Sequence, residues 1–128
     1  MTFGVYVHYP YCARHCPYCD FNVAVAAEIP HQTYREAICA ELESRARDFE
    51  KRPPVTSIYF GGGTPGIWPA IHIGAVIAAI RRHFALQSDV EITVECNPED
   101  ANATHFEALR QYGVNRLSLG AQSFERRF

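Results

Sequence analysis

Val55-Thr-Ser-Ile-Tyr-Phe-Gly-Gly-Gly-Thr-Pro65 reads as a β-strand, rich in β-branched and aromatic residues, stopped by three consecutive glycines. Downstream, Ile73, Ile77, Ile80 and Phe84 recur at helical spacing, Val90 to Glu95 is a further strand, and Phe106, Leu109 and Tyr112 mark another helix. Gly113 can end that helix through a left-handed cap, and Arg116 to Gly120 is a fourth strand. Upstream, Phe3 to His8 is strand-like, and Tyr34, Ile38, Leu42 and Phe49 fall on one face of a helix that a Thr33-Tyr-Arg-Glu36 capping box can start. Strand and helix alternate throughout, which predicts an α/β fold with parallel strands joined by right-handed crossovers. About four strands and three helices are expected. Four strands cannot close a barrel, since a complete eight-stranded one needs roughly 250 residues. The 128 residues are therefore expected to be the N-terminal portion of a larger core domain, with the rest of the barrel and a C-terminal domain outside it. The edge strand 116–120 then exposes Leu117 and Leu119 to association.

The chemistry sits between the first strand and the first helix. Tyr9-Pro-Tyr-Cys-Ala-Arg-His-Cys-Pro-Tyr-Cys-Asp20 carries Cys12, Cys16 and Cys19 on one short loop. Three thiolates can hold three corners of an iron-sulfur cube and leave the fourth iron open to a ligand. The loop, Gly61 to Thr64, Glu95 and Gln122 all follow or end successive strands, on the rim where parallel barrels build active sites. Glycines there let a backbone approach a ligand and permit positive φ. A valine at 62 or 63 is accordingly expected to block the ligand while leaving iron in place.

Composition sets limits. The chain is 48% hydrophobic with a formal charge of -2, enough for a core and without the basic cluster of a nucleic-acid binder. Met1 to His8 lacks a basic region followed by an apolar stretch, and no run of about 18 apolar residues occurs, so a cytoplasmic location is expected. Five cysteines, three clustered and the others at 39 and 96, suit metal binding better than disulfides. Cys39 and Cys96 read as packing residues.

Five segments, in order, carry a resemblance: Tyr6-Val-His-Tyr-Pro-Tyr-Cys12, Cys16-Pro-Tyr-Cys-Asp-Phe-Asn22, Phe60-Gly-Gly-Gly-Thr-Pro65, Glu91-Ile-Thr-Val-Glu-Cys-Asn-Pro98 and Gly113-Val-Asn-Arg-Leu-Ser-Leu-Gly-Ala-Gln-Ser-Phe124. Together they resemble the radical S-adenosylmethionine (SAM) superfamily, in the group of the oxygen-independent coproporphyrinogen III oxidases and the related haem chaperones. The resemblance implies a partial (β/α) barrel, a 4Fe-4S cluster on Cys12, Cys16 and Cys19, and SAM as cofactor. It implies that Gly62, Gly63 and Thr64 meet the methionine part of SAM, Glu95 its amino or ribose portion and Gln122 the ribose, with Tyr6 and Tyr18 bordering cluster and adenine. The chemistry implied is electron transfer from the reduced cluster into SAM, giving a deoxyadenosyl radical.

Within the group, the oxidase pattern places another cysteine two positions after the third cluster cysteine, where this chain has Phe21. That departure favours the haem-chaperone branch, with haem, a haem-acceptor protein and an electron donor as partners and membrane contact only through the acceptor. Radical oxidative decarboxylation of coproporphyrinogen III is the alternative, and whether the chain is an enzyme stays open. A weaker alternative is a structural zinc module using His15, disfavoured because no second Cys-x-x-Cys arm is present.

Overall fold

The computed structural model describes residues 2–12, 24–25, 28–100 and 102–120. In chain order the elements are β1 (Gly4–Tyr9), β2 (Tyr11–Cys12), β3 (Ala24–Val25), α1 (His31–Ala46), β4 (Val55–Gly62), α2 (Ala70–His83), β5 (Leu86–Cys96), α3 (Ala103–Gln111) and β6 (Arg116–Leu119). Short 3-10 turns follow α1, β4 and β5. The main sheet runs β1-β4-β5-β6 with every pair parallel, and β2 and β3 form a separate two-stranded parallel ladder. The α/β architecture with four main strands and three helices is the one the sequence predicts. The additions are small: β4 and β5 run longer than expected, and the β2–β3 ladder had no periodic signal because two residues carry none.

Register explains the core. Val7, Phe60, Val94 and Leu117 stand side by side across the four strands; the first three join Tyr9, Ile58, Ile92 and the α2 residues Ile73, Val76, Ile77 and Ile80 in one buried cluster, against which the partly buried Leu117 packs. Trp68 anchors its upper end, fully buried, stacked on Tyr9 at 4.9 Å and donating its indole N–H to the His31 carbonyl at 3.3 Å. The helices lie side by side on this one face of the sheet, α1 against α2 and α2 against α3. Alternation then puts Tyr6 and His8, Tyr59 and Gly61, Thr93 and Glu95, and Arg116 and Ser118 on the opposite face.

The helix ends separate local from tertiary control. At the end of α3, Gly113 takes φ 108°, with the Val114 amide on the Leu109 carbonyl and the Gly113 amide on the Arg110 carbonyl, both at 3.0 Å. This is a Schellman cap, as the glycine predicted. The capping box at Thr33–Glu36 does not form. α1 starts three residues earlier than that box would set it, at His31, with Pro30 as its N-cap residue and the Pro30 carbonyl accepting from the Tyr34 amide at 2.9 Å. Thr33 is thereby inside the first turn, and Glu36 accepts from Gln32 instead at 3.0 Å. The cause is tertiary: Tyr9 and Trp68 both hold His31, and the Tyr34 hydroxyl donates to the His8 carbonyl.

β6 is an edge, as expected, with Leu119 half exposed. Among the described residues no helix is long and apolar enough to cross a membrane.

Candidate metal centre and cofactor site

The site is assembled at the C-terminal ends of β1, β4 and β5. After β1, Pro10 breaks the strand, and Tyr11 and Cys12 pair with Ala24 and Val25, so the two ends of the cysteine loop are tied together at its root. Cys12 is buried, 8% exposed, and the Thr64 hydroxyl donates to its sulfur at 3.4 Å. Cys16, Cys19 and Tyr18, and with them Gln122, lie outside the described residues. Of the three expected ligands, Cys12 is the one whose surroundings can be read. Its sulfur accepts a hydrogen bond from a hydroxyl inside the fold, and cysteine sulfur hydrogen-bonded in this way is the donor that iron-sulfur clusters use. The described donor is thus compatible with an iron-sulfur cluster.

The three glycines are packed against the protein itself. A Cβ on Gly61 would lie 2.4 Å from the Glu95 carboxylate, and one on Gly62, whose φ is 112°, would lie 2.7 Å from the His8 ring and 2.8 Å from the Tyr9 carbonyl. On Gly63 it would lie 2.5 Å from the Tyr11 carbonyl oxygen. A valine at Gly63 would meet the root of the cysteine loop as well as any ligand, since the space a side chain needs there is filled by Tyr11 and Pro10. The amides of Gly63 and Thr64 are also committed, to the carbonyls of Tyr9 at 2.7 Å and Tyr11 at 2.8 Å. What these two peptide units can offer a ligand is carbonyl oxygen, which suits an ammonium group.

Glu95 reaches in from β5, beside Gly61 and opposite Ser118 of β6. Around it stand Tyr59, whose phenol is held above its usual range by partial burial with the Glu95 charge adding to it, and Tyr6, stacked on Tyr59 at 6.1 Å. The Tyr6 hydroxyl lies 3.3 Å from Nδ1 of His8. Glu95, Gly63, Thr64, Asn97 and Ser118 line a small cavity of about 80 Å³. The site thus brings together Tyr6, Gly62, Gly63, Thr64, Glu95 and Cys12. Sequence reasoning missed Asn97, whose side-chain amide donates to the Thr64 hydroxyl at 3.4 Å, and Ser118. The signal for Asn97 was its place two residues after Glu95; that for Ser118 was strand alternation on β6.

Cys96 is a neighbour without being a candidate ligand. It is 3% exposed, and burial first, with Asp100 and Glu95 behind it, pushes its thiol up to about 11. Cys39, half-buried on α1, is also raised by burial. Both remain protonated packing residues at neutral pH.

Comparison with known proteins follows the same lines. The chain is 37% identical over 122 residues to the heme chaperone HemW of Escherichia coli, an alignment covering 94% of this chain and 32% of that protein. It is 38% identical over 124 residues to HemW of Mycobacterium tuberculosis, covering 94% of this chain and 32% of the relative. To the mitochondrial radical S-adenosyl methionine domain-containing protein 1 of Bos taurus it is 36% identical over 122 residues, covering 95% of this chain and 27% of that protein. The chain spans between about a quarter and a third of the length of these curated relatives. Among solved structures, coproporphyrinogen III oxidase (HemN) of Escherichia coli, described as a radical SAM enzyme, superposes with a TM-score of 0.88 at 31% identity, covering 98% of this chain and 29% of that one. The profile of the radical SAM superfamily matches residues 6–128, from the tyrosine of β1 through the cysteine loop, the glycines and Glu95. The parallel sheet, the cysteine loop rooted at its C-terminal end and this match together establish that the chain belongs to the radical SAM superfamily.

Proposed function

We propose that the chain binds a 4Fe-4S cluster through Cys12, Cys16 and Cys19 and SAM through Tyr6, Tyr18, Gly62, Gly63, Thr64, Glu95 and Gln122, as the N-terminal portion of a haem chaperone that binds haem and passes it to acceptor proteins. The observation that carries the branch is the 36 to 38% identity to proteins named heme chaperones over nearly the whole chain, together with Phe21 where the oxidase pattern has cysteine. When bound, the cluster supplies a single electron to the sulfonium of SAM.

The protein's own residues bind and orient. Carbonyl oxygens of the glycine turn and the Glu95 carboxylate form a negative corner for the amino group of SAM, and Gly61 leaves the carboxylate room. Tyr6 and Tyr59 supply aromatic surface beside it. The buried Thr64 separates this corner from Cys12. The cysteine pattern, three clustered and two apart, suits a metal-binding protein of a reducing compartment, and we assign the protein to the cytoplasm.

Anaerobic reconstitution of the full-length protein, followed by haem and SAM titrations on the same sample, tests the reading. A brown protein whose reduced cluster changes its paramagnetic resonance spectrum on adding SAM, which binds haem and leaves coproporphyrinogen III unconverted, is expected. Conversion of coproporphyrinogen III with cluster, SAM and reductant present would transfer the assignment to the oxidase branch. A colourless protein holding stoichiometric zinc would end the cluster reading.

A further inference from the structure

Thr64 has one hydroxyl proton, and the fold decides where it goes. The Asn97 side-chain amide donates into Thr64 Oγ1 at 3.4 Å, and Thr64 Oγ1 donates to Cys12 Sγ at 3.4 Å, within the longer reach of hydrogen bonds to sulfur. The middle of this relay and its Asn97 end are fixed by backbone. The Thr64 amide is held by the Tyr11 carbonyl at 2.8 Å, and the Asn97 carbonyl accepts from the Asp100 amide at 3.0 Å. Thr64 is 6% exposed and Cys12 8% exposed, so water competes little for either bond. Threonine is stiff at χ1 and holds the hydroxyl in place. Asn97 comes from the turn after β5, Thr64 from the turn after β4 and Cys12 from the strand after β1, so the relay links the ends of three neighbouring strands.

We propose that Asn97 is a positioning residue which, through Thr64, keeps a hydrogen bond on the Cys12 sulfur and so raises the reduction potential of the cluster held there. The inference rests on the cluster reading above. A hydrogen bond onto a ligating sulfur withdraws negative charge from it. The reduced cluster carries one more electron than the oxidised one, so it gains more from that donor and reduction becomes easier. Without Asn97 the Thr64 proton is free to turn away from the sulfur; without the Thr64 hydroxyl there is no proton to give.

The test is a redox titration of the anaerobically reconstituted protein, followed by paramagnetic resonance without SAM, which separates this role from any part Thr64 plays in binding the cofactor. Iron and sulfide content are measured first. Thr64→Val is expected to lower the midpoint potential, weakening reduction by roughly three- to tenfold, where tenfold is ~59 mV for a one-electron couple. Thr64→Ser restores the wild-type midpoint. Asn97→Ala lowers it by less, and its effect vanishes in the Thr64→Val background, because it acts only through that hydroxyl. Equal midpoints in wild type and Thr64→Val at equal iron content overturn the inference and leave the cluster reading standing. An Asn97→Ala shift that persists undiminished in the Thr64→Val background, or one toward higher potential, also overturns it. Should Thr64→Val load less iron, Asn97→Ala against Thr64→Ser decides, and an unshifted Asn97→Ala refutes the relay. Failure of the wild type to take up iron and sulfide sinks the cluster reading, and the relay with it.

Discussion

The two faces of the one sheet are built from the same strands and do opposite work. On the helix-covered face, Val7, Phe60, Val94 and Leu117 form a continuous apolar row, and Phe60, Ile58 and Ile92 are fully buried. One residue away along each strand, Tyr6, Tyr59, Thr93 and Arg116 form the next row on the open face, followed by His8, Gly61, Glu95 and Ser118. Alternation with a period of two lets a strand contribute to stability and to binding at once without the two demands competing for the same residue. The helices show a matching inequality. α2, over the middle strands, buries seven residues, whereas α1, beside the edge strand β1, buries none. The lesson is that the exposed side chains of the open face, Tyr6 and Arg116 among them, can change with little effect on folding, while those beneath α2 cannot.

The sharpest way to break that division is a pair of substitutions. Phe60→Ala, on the covered face, is expected to cost about 3–5 kcal/mol because it removes a fully buried ring and leaves a cavity. Ser118→Ala, on the open face, is expected to stay within about 0.5 kcal/mol. Urea unfolding of both checks this, and similar losses for the two would show that the open face is structural as well.

The glycine turn is where the division ought to fail. Gly63→Val drives a branched side chain into the Tyr11 carbonyl, so iron content and SAM affinity should fall together. Metal analysis after reconstitution decides it; full iron with lost SAM binding would mean that the loop root yields to the side chain. Glu95→Gln should separate the properties again. Loss of the charge at nearly constant shape should weaken SAM binding on the order of tenfold, the scale of one charge-assisted hydrogen bond, with the unfolding midpoint and iron unchanged. Calorimetric SAM titration of the variant gives the answer.

The smallest effect concerns the clasp between α1 and α2. His31 and His72 stack at 6.2 Å; both are held below the usual histidine range, each by burial first, with His72 adding to the effect on His31 and Arg35 to that on His72. A base whose native pKa is depressed takes its proton more readily in the unfolded chain, so stability falls as pH drops through the ordinary histidine range near ~6.5. His72→Gln should shrink the difference between urea midpoints at pH about 7.5 and 5.5. An unchanged difference would place the pH dependence elsewhere.

Much of this protein was legible before folding. Hydrophobic period alone placed four main strands and three helices, because burial on one face is a local property of each element, and Gly113 announced its own cap because a left-handed residue must be one that tolerates positive φ. The cysteine spacing and the glycine run pointed to the site for the same local reason. What the tertiary structure alone decided are the meetings between distant segments. α1 begins at His31 because Tyr9 and Trp68 seize it there, against a well-formed capping box in the sequence. Gly61 is needed because Glu95 stands beside it, and Thr64 reaches Cys12 across 52 residues of chain because the register of β1 on β4 sets Tyr9 against Gly62. Asn97 joins them only because β5 pairs in turn on β4, and a hydrogen-bond relay of three side chains from three segments has no period for a sequence to display.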